Sequence, residues 1–243
     1  MQTKQSARKA PTDVLSRYVL DSLSYASNTI VNRRRRLLRE TRRMIARDGL
    51  ENFSVRRLCD SANVAPRTLY NAFGFRERLI ALAIREGYDI WAATTDYDTD
   101  SSTLVGLLDR TIALNQQNLI ARNSAAAICA IYFQPGIDKN VWEMVQDMTL
   151  GVIKEWMTEL SKRNEVKDGT NIDHFAAAMA HMQFATIHNW CCGRLSDEDY
   201  IPRFVESMLW LIIGASRGST EAEAREFLTY IHSEQRLPPV FQS

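Results

Sequence analysis

The sequence of 243 residues contains 30 Lys and Arg side chains and 29 Asp and Glu side chains, so its formal net charge is +1. Hydrophobic residues make up 45% of the chain, which excludes a disordered protein because enough apolar surface is present to build a core. The longest apolar runs fall short of the roughly 20 residues that cross a bilayer, so no membrane partner is predicted. Four cysteines without a disulfide pattern and an N-terminus without an apolar signal segment favour the cytoplasm.

The near-neutral total is the sum of two oppositely charged regions. Residues 1–78 contain 17 basic and 7 acidic side chains, whereas residues 79–243 contain 13 basic and 22 acidic ones, which gives net charges of +10 and −9. This asymmetry predicts an N-terminal module that binds a polyanion, joined to a region with a different partner. Nucleic acid is the favoured polyanion, because each phosphate that an arginine or lysine neutralises releases condensed counterions.

Apolar residues recur at three- and four-residue spacing along most of the chain, which predicts about ten helices and an all-α fold. Strands are not predicted, since no strictly alternating run bounded by turn residues is present. Residues 1–32 are expected to be an N-terminal extension, which is either flexible or contains one short helix between Val14 and Leu23.

Residues 33–79 have the pattern of a three-helix DNA-binding domain. A first helix opens with four arginines and ends at Gly49, a residue that readily takes the left-handed cap conformation. A second, short helix follows Ser54, a preferred N-cap, and stops at Asn63, which tolerates left-handed backbone. Pro66, which suits the first position of a helix, starts the third. Two short helices joined by a tight turn predict a helix-turn-helix, whose second helix lies in the major groove.

The segment from Leu37 to Leu79 resembles the DNA-binding domain of the TetR family of bacterial transcriptional regulators. The matching residues are Gly49, Ser54-Val55-Arg56, Leu58-Cys59, Ala62-Asn63-Val64, Thr68-Leu69-Tyr70, Phe73 and Arg76-Glu77-Arg78-Leu79. The sequence departs from the family at Asn63, where glycine is usual, and at Ala65, where Ser or a similar cap is usual. Neither departure excludes the fold, because Asn can adopt the left-handed region and a missing cap costs about 1 kcal/mol. The resemblance implies that a helical effector-binding and dimerisation domain follows, here residues 80–243.

The resemblance and the helix geometry together imply which side chains contact DNA. Arg67, Thr68 and Asn71 on the third helix are expected to face base edges, because arginine can bind guanine and asparagine can bind adenine. Arg56 matches a family position that can also reach a base. The residues expected to face phosphates and to set the register are Tyr70, Ser54, Arg76, Arg78 and Arg34. The residues expected to form the core of the motif are Leu58, Val64, Leu69 and Phe73.

Two long helices near the C-terminus, residues 173–192 and 200–215, are apolar around much of their circumference. Similar helices of TetR relatives form a four-helix dimer interface, and the alternative is that both are core helices of a monomer. The residues expected at the dimer interface are Phe175, Met179, Met182, Phe204, Met208 and Leu211.

Large aromatic and methionine side chains between residues 88 and 156 either line a cavity for an apolar ligand or fill a core. The resemblance favours a cavity, and the helix of residues 77–94 would then transmit ligand binding to the DNA-binding helices. The residues expected to contact the ligand are Trp91, Tyr132, Phe133, Met144, Met148 and Trp156.

Three histidines, His174, His181 and His188, recur at intervals of seven residues along one helix. Such an interval spans about 10.5 Å, which is too far for two of them to share a metal ion. His188 is closer to Cys191 and Cys192, but a buried histidine with two packed thiols is the expected outcome, so neither a metal nor a cofactor is predicted. Recognisable catalytic arrangements and phosphate-binding loops are also missing from the sequence, so an enzyme is not predicted.

The leading hypothesis is a homodimeric transcriptional repressor that binds double-stranded DNA at a palindromic operator and is released by a small, largely apolar effector. The alternative is a DNA-bound architectural or division-linked protein whose C-terminal domain docks a protein partner without a ligand. A third hypothesis is an all-α enzyme that uses His188, Cys191 and Cys192.

Overall fold

A computed structural model describes residues 28–241 of the chain. Within these residues it contains ten α-helices, a short 3₁₀-helix at Pro239–Phe241 and no strand, which confirms the prediction of an all-α fold. The predicted extension lies largely outside the described residues, whereas residues 28–32 belong to the first helix. None of the helices between residues 28 and 241 is long and apolar enough to span a membrane.

The described residues divide into two compact units, of which the first ends at Asp96 and the second begins at Tyr97. The sequence places this division near residue 79, at the start of a helix that begins at Arg76. The structure assigns that whole helix to the first unit because it packs along the helix that begins at Asn28. Each unit is described separately below.

Residues 28–96 of the first unit contain four helices. They are α1 Asn28–Asp48, α2 Val55–Ala62, α3 Pro66–Phe73 and α4 Arg76–Thr94. The core of this unit includes four side chains of α1 that recur along one face, namely Leu37, Leu38, Met44 and Ile45. This burial matches the apolar face that the sequence predicts, although α1 begins five residues before the arginine run.

A polar contact joins α1 to α4 inside this core. Nη1 of Arg42 lies 3.2 Å from Oε2 of Glu86 and also donates to the carbonyl oxygen of Ala83 at 3.4 Å. Burial raises the pKa of the Glu86 carboxyl, and the neighbouring guanidinium of Arg42 opposes that rise. The helices approach closely here, because a Cβ added at Gly87 would lie 2.5 Å from Cδ of Arg42.

The second unit contains six α-helices between residues 97 and 241. They are α5 Leu104–Ile120, α6 Arg122–Tyr132, α7 Lys139–Lys162, α8 Ile172–Cys191, α9 Asp197–Ala215 and α10 Gly218–Glu234. Helix α8 packs against α6, α7 and α9, and α9 also packs against α5 and α10. The largest fully buried side chains of the second unit include Trp156, Trp190, Tyr200 and Phe204.

Trp190 links three elements of this second unit. Its ring stacks on Tyr200 with centroids 4.6 Å apart, and its Nε1 donates to Oδ1 of Asp197 at 2.7 Å. The guanidinium of Arg122 lies 4.5 Å from the Trp190 ring and donates to the Trp190 carbonyl at 2.9 Å. The ends of α6, α8 and α9 are therefore held together by one buried aromatic residue.

Candidate nucleic-acid interface

Helices α2 and α3 meet at a tight turn with the expected local chemistry. The backbone of Asn63 is left-handed, with φ 50° and ψ 54°, and its N–H donates to carbonyl oxygens at the end of α2. The Oγ of Ser54 accepts a hydrogen bond from the backbone N–H of Arg57, which confirms Ser54 as the N-cap of α2. The sequence therefore identified the residues that start and stop this helix.

Helix α3 is held in place by two apolar side chains. Leu69 and Phe73 are 0% and 1% exposed, and they lie four residues apart on one face. Pro66 occupies the first turn, and Ala65 before it makes no side-chain cap. Gly74 ends the helix with φ 82°, a value that an L-residue with a side chain rarely adopts. Leu69 and Phe73 therefore set the orientation of α3.

The opposite face of α3 carries the side chains that the sequence assigns to base edges. Arg67 and Asn71 are exposed and four residues apart, and Thr68 is half-buried. Arg67 has no hydrogen bond or ion pair with any other described residue. Tyr70 is 43% exposed, so it is a surface side chain and not a member of the core. This face thus combines a free guanidinium, an amide and two hydroxyls.

Two further arginines of the predicted DNA contacts are equally accessible. Arg56 near the start of α2 and Arg78 in the first turn of α4 are both exposed. Val64, expected in the core, is only half-buried, because it lies in the turn between α2 and α3. The cap bond of Ser54 occupies its hydroxyl, which remains partly exposed.

The two remaining residues predicted to contact phosphates, Arg76 and Arg34, differ in the contacts they make within the first unit. Arg76 donates to the carbonyl oxygen of Leu50 at 3.1 Å and its guanidinium lies over the ring of Phe53. Arg34 is half-buried, and its Nε has no hydrogen-bond partner within residues 28–241. Of these two, Arg76 has a structural role that does not depend on DNA.

Sequence reasoning missed two arginines that stabilise the first unit. Arg36 of the four-arginine run donates to the carbonyl oxygen of Ala62 at 2.7 Å, at the C-terminal end of α2. A cation at this end of a helix interacts favourably with the helix dipole. Arg42 forms the contact with Glu86 described above. No local pattern identifies either contact, because the partners are 26 and 44 residues apart.

All positively charged side chains between residues 28 and 78 are arginines. Between residues 28 and 78 the sequence has 13 arginines, no lysine and five acidic residues. Asp48 pairs with Arg47 at 2.6 Å and with Arg57 at 3.2 Å, and the Arg47 hydrogen bond is the largest cause that lowers the Asp48 pKa to about 2. The guanidinium group suits phosphate and guanine recognition, because it presents two parallel N–H donors.

The residues expected at a dimer interface lie mostly inside the protomer. Four of them are buried among the helices of the second unit: Phe175, Met179, Phe204 and Met208. This burial agrees with the alternative that both helices are core helices of one protomer, and the dimer interface stays a prediction. Met182 and Leu211 remain half-buried. A side chain that the prediction missed, Trp210, is 54% exposed on α9.

The residues expected to contact an effector also fall into different environments. Tyr132, Met144 and Trp156 are buried in the second unit, and Met148 is half-buried. Trp91 lies on α4 of the first unit and is half-buried. Phe133 is 47% exposed because α6 ends at the residue before it, and its contact with an effector stays a prediction.

The histidine and cysteine cluster is not the packed arrangement that the sequence predicts. Cys192 is exposed, and both His188 and Cys191 are half-buried. Among residues 28–241, no set of three or more His, Cys, Asp or Glu side chains is placed to hold a metal ion.

Comparison with known proteins places the N-terminal region in a described family. Residues 37–83 match the family model for bacterial regulatory proteins of the tetR family. A TetR-family transcriptional regulator from Rhodococcus sp. is similar in structure, with a TM-score of 0.51 and 18% identity, over 72% of this chain and 95% of that one. A TetR transcriptional regulator from Agrobacterium tumefaciens has a TM-score of 0.50 and 14% identity, over 79% and 98% of the two chains. No curated protein matches the chain significantly.

Proposed function

We propose that the chain, whose residues 37–83 match the tetR-family model, is a DNA-binding transcriptional regulator that acts as a homodimeric repressor released by a small effector. In this proposal the protein acts in the cytoplasm, binds a palindromic operator, and dissociates when a largely apolar ligand binds the second unit. The observation that carries the proposal is the exposed face of α3, where Arg67 and Asn71 lie opposite the buried Leu69 and Phe73.

The side chains on this face suit the major groove of DNA. A guanidinium can donate two hydrogen bonds to guanine, and an asparagine amide can pair with adenine. The same motif contains Tyr70, Arg56 and Arg78. In this proposal these three side chains would contact phosphates or a further base. Each good bidentate contact contributes about 1–3 kcal/mol of discrimination between bases.

The DNA-binding part of the proposal is tested by replacing Arg67. Arg67→Ala should weaken binding to DNA from the upstream region of the protein's own gene by about 5- to 150-fold, because one bidentate base contact is lost. Fluorescence anisotropy with labelled duplexes measures the affinity. Arg225→Ala is the matched control, since it removes the same charge from an exposed position on α10 in the second unit. Equal affinity of the wild type and Arg67→Ala would contradict the proposed role of α3.

Palindromic operators require two copies of the motif at half-sites one helical turn apart, which is the reason to propose a dimer. The exposed faces of α8 and α9 are the surfaces proposed for pairing, since these helices pack against each other and α9 exposes Trp210. A large exposed aromatic residue is typical of interaction surfaces.

Sedimentation velocity tests this surface. Trp210→Arg should shift the protein from dimer to monomer, because a buried cation at the interface would have no partner. Ile120→Arg is the control: Ile120 is 81% exposed at the end of α5, outside the proposed surface. A Trp210→Arg protein that remains dimeric would exclude α9 as the interface.

Two buried donors in the second unit support an effector that carries hydrogen-bond acceptors on an apolar body. The hydroxyl of Tyr132 and the Nε1 of Trp156 have no hydrogen bond of ordinary geometry within residues 28–241, although the Gln146 side chain lies beside the hydroxyl. Burial raises the pKa of Tyr132 to about 12, which keeps its proton available for donation. Unpaired buried donors are rare in proteins, and a bound acceptor would satisfy them.

A thermal-shift screen with small apolar molecules tests this step. A ligand that binds the folded state raises the melting temperature by mass action, and Tyr132→Phe should reduce the rise for a ligand that accepts from that hydroxyl. Tyr230→Phe on α10 is the control. If no compound raises the melting temperature, the alternative of a partner-docking domain without a ligand is favoured.

A further inference from the structure

The solvent-facing side of α1 carries a row of four arginines, which we call the arginine stripe: Arg35, Arg36, Arg39 and Arg43. Residues three and four positions apart lie on the same face of a helix, so these side chains follow one another along the helix axis. Three of them are exposed and Arg35 is half-buried. At 100° per residue, the stripe lies on the side of α1 opposite the buried apolar face described above.

The stripe faces away from α3. Both α1 and α3 pack against α2 and α4, so the latter two helices lie between them. Because the buried face of α1 is turned toward α2 and α4, the stripe is turned away from these helices and from α3 beyond them. A duplex that contacts Arg67 and Asn71 of α3 therefore leaves the stripe unoccupied.

Two guanidinium groups of the stripe are not neutralised within the first unit. Arg35 and Arg39 form no hydrogen bond or ion pair with any other described residue. The Glu86 carboxylate on α4 attracts both of them, but it is buried and already paired with Arg42 at 3.2 Å. These two cations are therefore available to a partner outside the fold.

The charges of the stripe work against the stability of their own helix. Like charges four residues apart repel, and the stripe contains two such pairs, Arg35 with Arg39 and Arg39 with Arg43. Glu40 relieves only the second pair, since its two carboxylate oxygens accept from Arg43 at 2.7 and 3.0 Å. The stability of the fold does not explain the stripe, whereas a polyanion bound along it would remove the repulsion.

The chemistry of the stripe favours a phosphate backbone over a protein as its partner. The stripe consists of guanidinium groups and is flanked on the same face by Asn32 and Ala46, so no large apolar side chain belongs to it. The centre of a protein interface is typically apolar or aromatic, whereas sequence-independent binding to duplex DNA depends on cations that neutralise phosphates. We propose that the arginine stripe binds the backbone of a second DNA duplex, so that one protein molecule bridges two DNA segments.

A bridging assay tests this proposal on the full chain. DNA from the upstream region of the protein's own gene is immobilised and saturated with protein, and a short fluorescent duplex of unrelated sequence is then added. The wild type should capture this second duplex. Arg35→Ala/Arg39→Ala should bind the first duplex as before and capture the second at least about tenfold more weakly at about 0.1 M salt, because counterions released at two phosphates no longer contribute.

The matched control removes two exposed arginines from the second unit. Arg203→Ala/Arg225→Ala should capture the second duplex as the wild type does, although its net charge changes by the same amount. The substitutions in the stripe should not unfold α1, because alanine favours the helix and the like-charge repulsion is removed. Circular dichroism of each variant checks this.

A second measurement does not depend on the proposed repressor function. Sedimentation velocity in an excess of the unrelated duplex counts the duplexes bound to each protein molecule. Arg35→Ala/Arg39→Ala should carry fewer duplexes than the wild type, and this difference should remain even if the chain does not recognise its own upstream DNA. Failure of the operator proposal and failure of the stripe are thus distinguishable.

Four results would overturn the proposal. The first is that wild-type protein bound to the upstream DNA captures no second duplex, and the second is equal capture or equal duplex numbers for Arg35→Ala/Arg39→Ala and the wild type. The third is a variant that loses the first duplex together with the second, which would assign the stripe to the same interface as α3. The fourth is tighter binding of a poly-glutamate peptide than of the duplex, which would assign the stripe to an acidic protein.

Discussion

The two units of the chain use their charged side chains in opposite ways. Residues 28–96 contain 14 arginines and eight acidic residues, so many guanidinium groups have no carboxylate to pair with. Residues 97–243 contain 12 basic and 19 acidic residues, and several of their cations are bound in ion pairs. The arginines in excess over acidic residues in the first unit are available to an external polyanion. The second unit, with its excess of acidic residues, would be repelled by a polyanion. The formal charge of +1 conceals this division.

The largest expected effect is the salt dependence of DNA binding. If the first unit binds phosphates with its unpaired arginines, affinity should fall by about 10³-fold or more between 50 and 200 mM salt, as for proteins that make 6–10 phosphate contacts. Anisotropy titrations at several salt concentrations give the slope. A nearly flat slope would mean that the net charge of the whole chain, and not its distribution, governs binding.

The second unit should depend most strongly on its buried aromatic side chains. Trp190→Ala removes the stacking on Tyr200 and the hydrogen bond to Asp197, so we expect the free energy of unfolding to fall by about 3–5 kcal/mol. Urea denaturation followed by circular dichroism measures the change. Trp190→Phe is the milder comparison, since it keeps a ring in the core, and it should lose clearly less stability. A loss equal to that of Trp190→Ala would assign the effect to the hydrogen bond rather than to packing.

The first unit should respond measurably to the loss of a single cap. Ser54→Ala removes the side-chain acceptor at the N-terminus of α2 and should lower the free energy of unfolding by about 1 kcal/mol. Ser61→Ala lies in the last turn of the same helix and serves as the control, because its hydroxyl caps no N-terminal N–H group. Equal stabilities of the two variants would contradict the role of Ser54.

The smallest expected effect concerns the exposed ion pairs of Asp48. Its folded-state pKa of about 2 lies below the ordinary value of 3.8, so the charged form stabilises the fold above about pH 4 and this contribution disappears as the pH falls toward 2. Asp48→Asn should therefore melt at a lower temperature than the wild type at pH 7 and at the same temperature near pH 2. High salt should reduce the difference at pH 7, because these partners are exposed. A difference that persists at pH 2 would exclude an ionic cause.

The helix-turn-helix was predictable because its determinants are local. Ser54, Asn63 and Pro66 each act within a few residues, through a cap, a left-handed turn and a fixed φ angle. Their identities alone indicate where two short helices start and stop. The exposed side of α3 followed from the same reasoning, since two buried residues four positions apart determine which face remains outside.

The second unit was less predictable because apolar periodicity reports burial without naming the partner. The apolar side chains of α8 and α9 fit the pattern of a dimer interface as well as that of a monomer core. In the structure, Phe175 and Met208 are buried by helices of the same chain. Phe133 could not be placed either, because its exposure depends on α6 ending one residue earlier. The Arg42–Glu86 contact joins residues 44 positions apart and has no sequence signature.

The sequence by itself determined the helical class, the DNA-binding motif with its caps, and the division of charge between the two ends of the chain. These properties depend on residue type and short-range spacing. Only the tertiary structure decided which apolar faces are already covered, which arginines are bound within the fold, and that Cys192 lies exposed beside His188. Those outcomes depend on which distant segments pack together, and packing is a property of the whole unit.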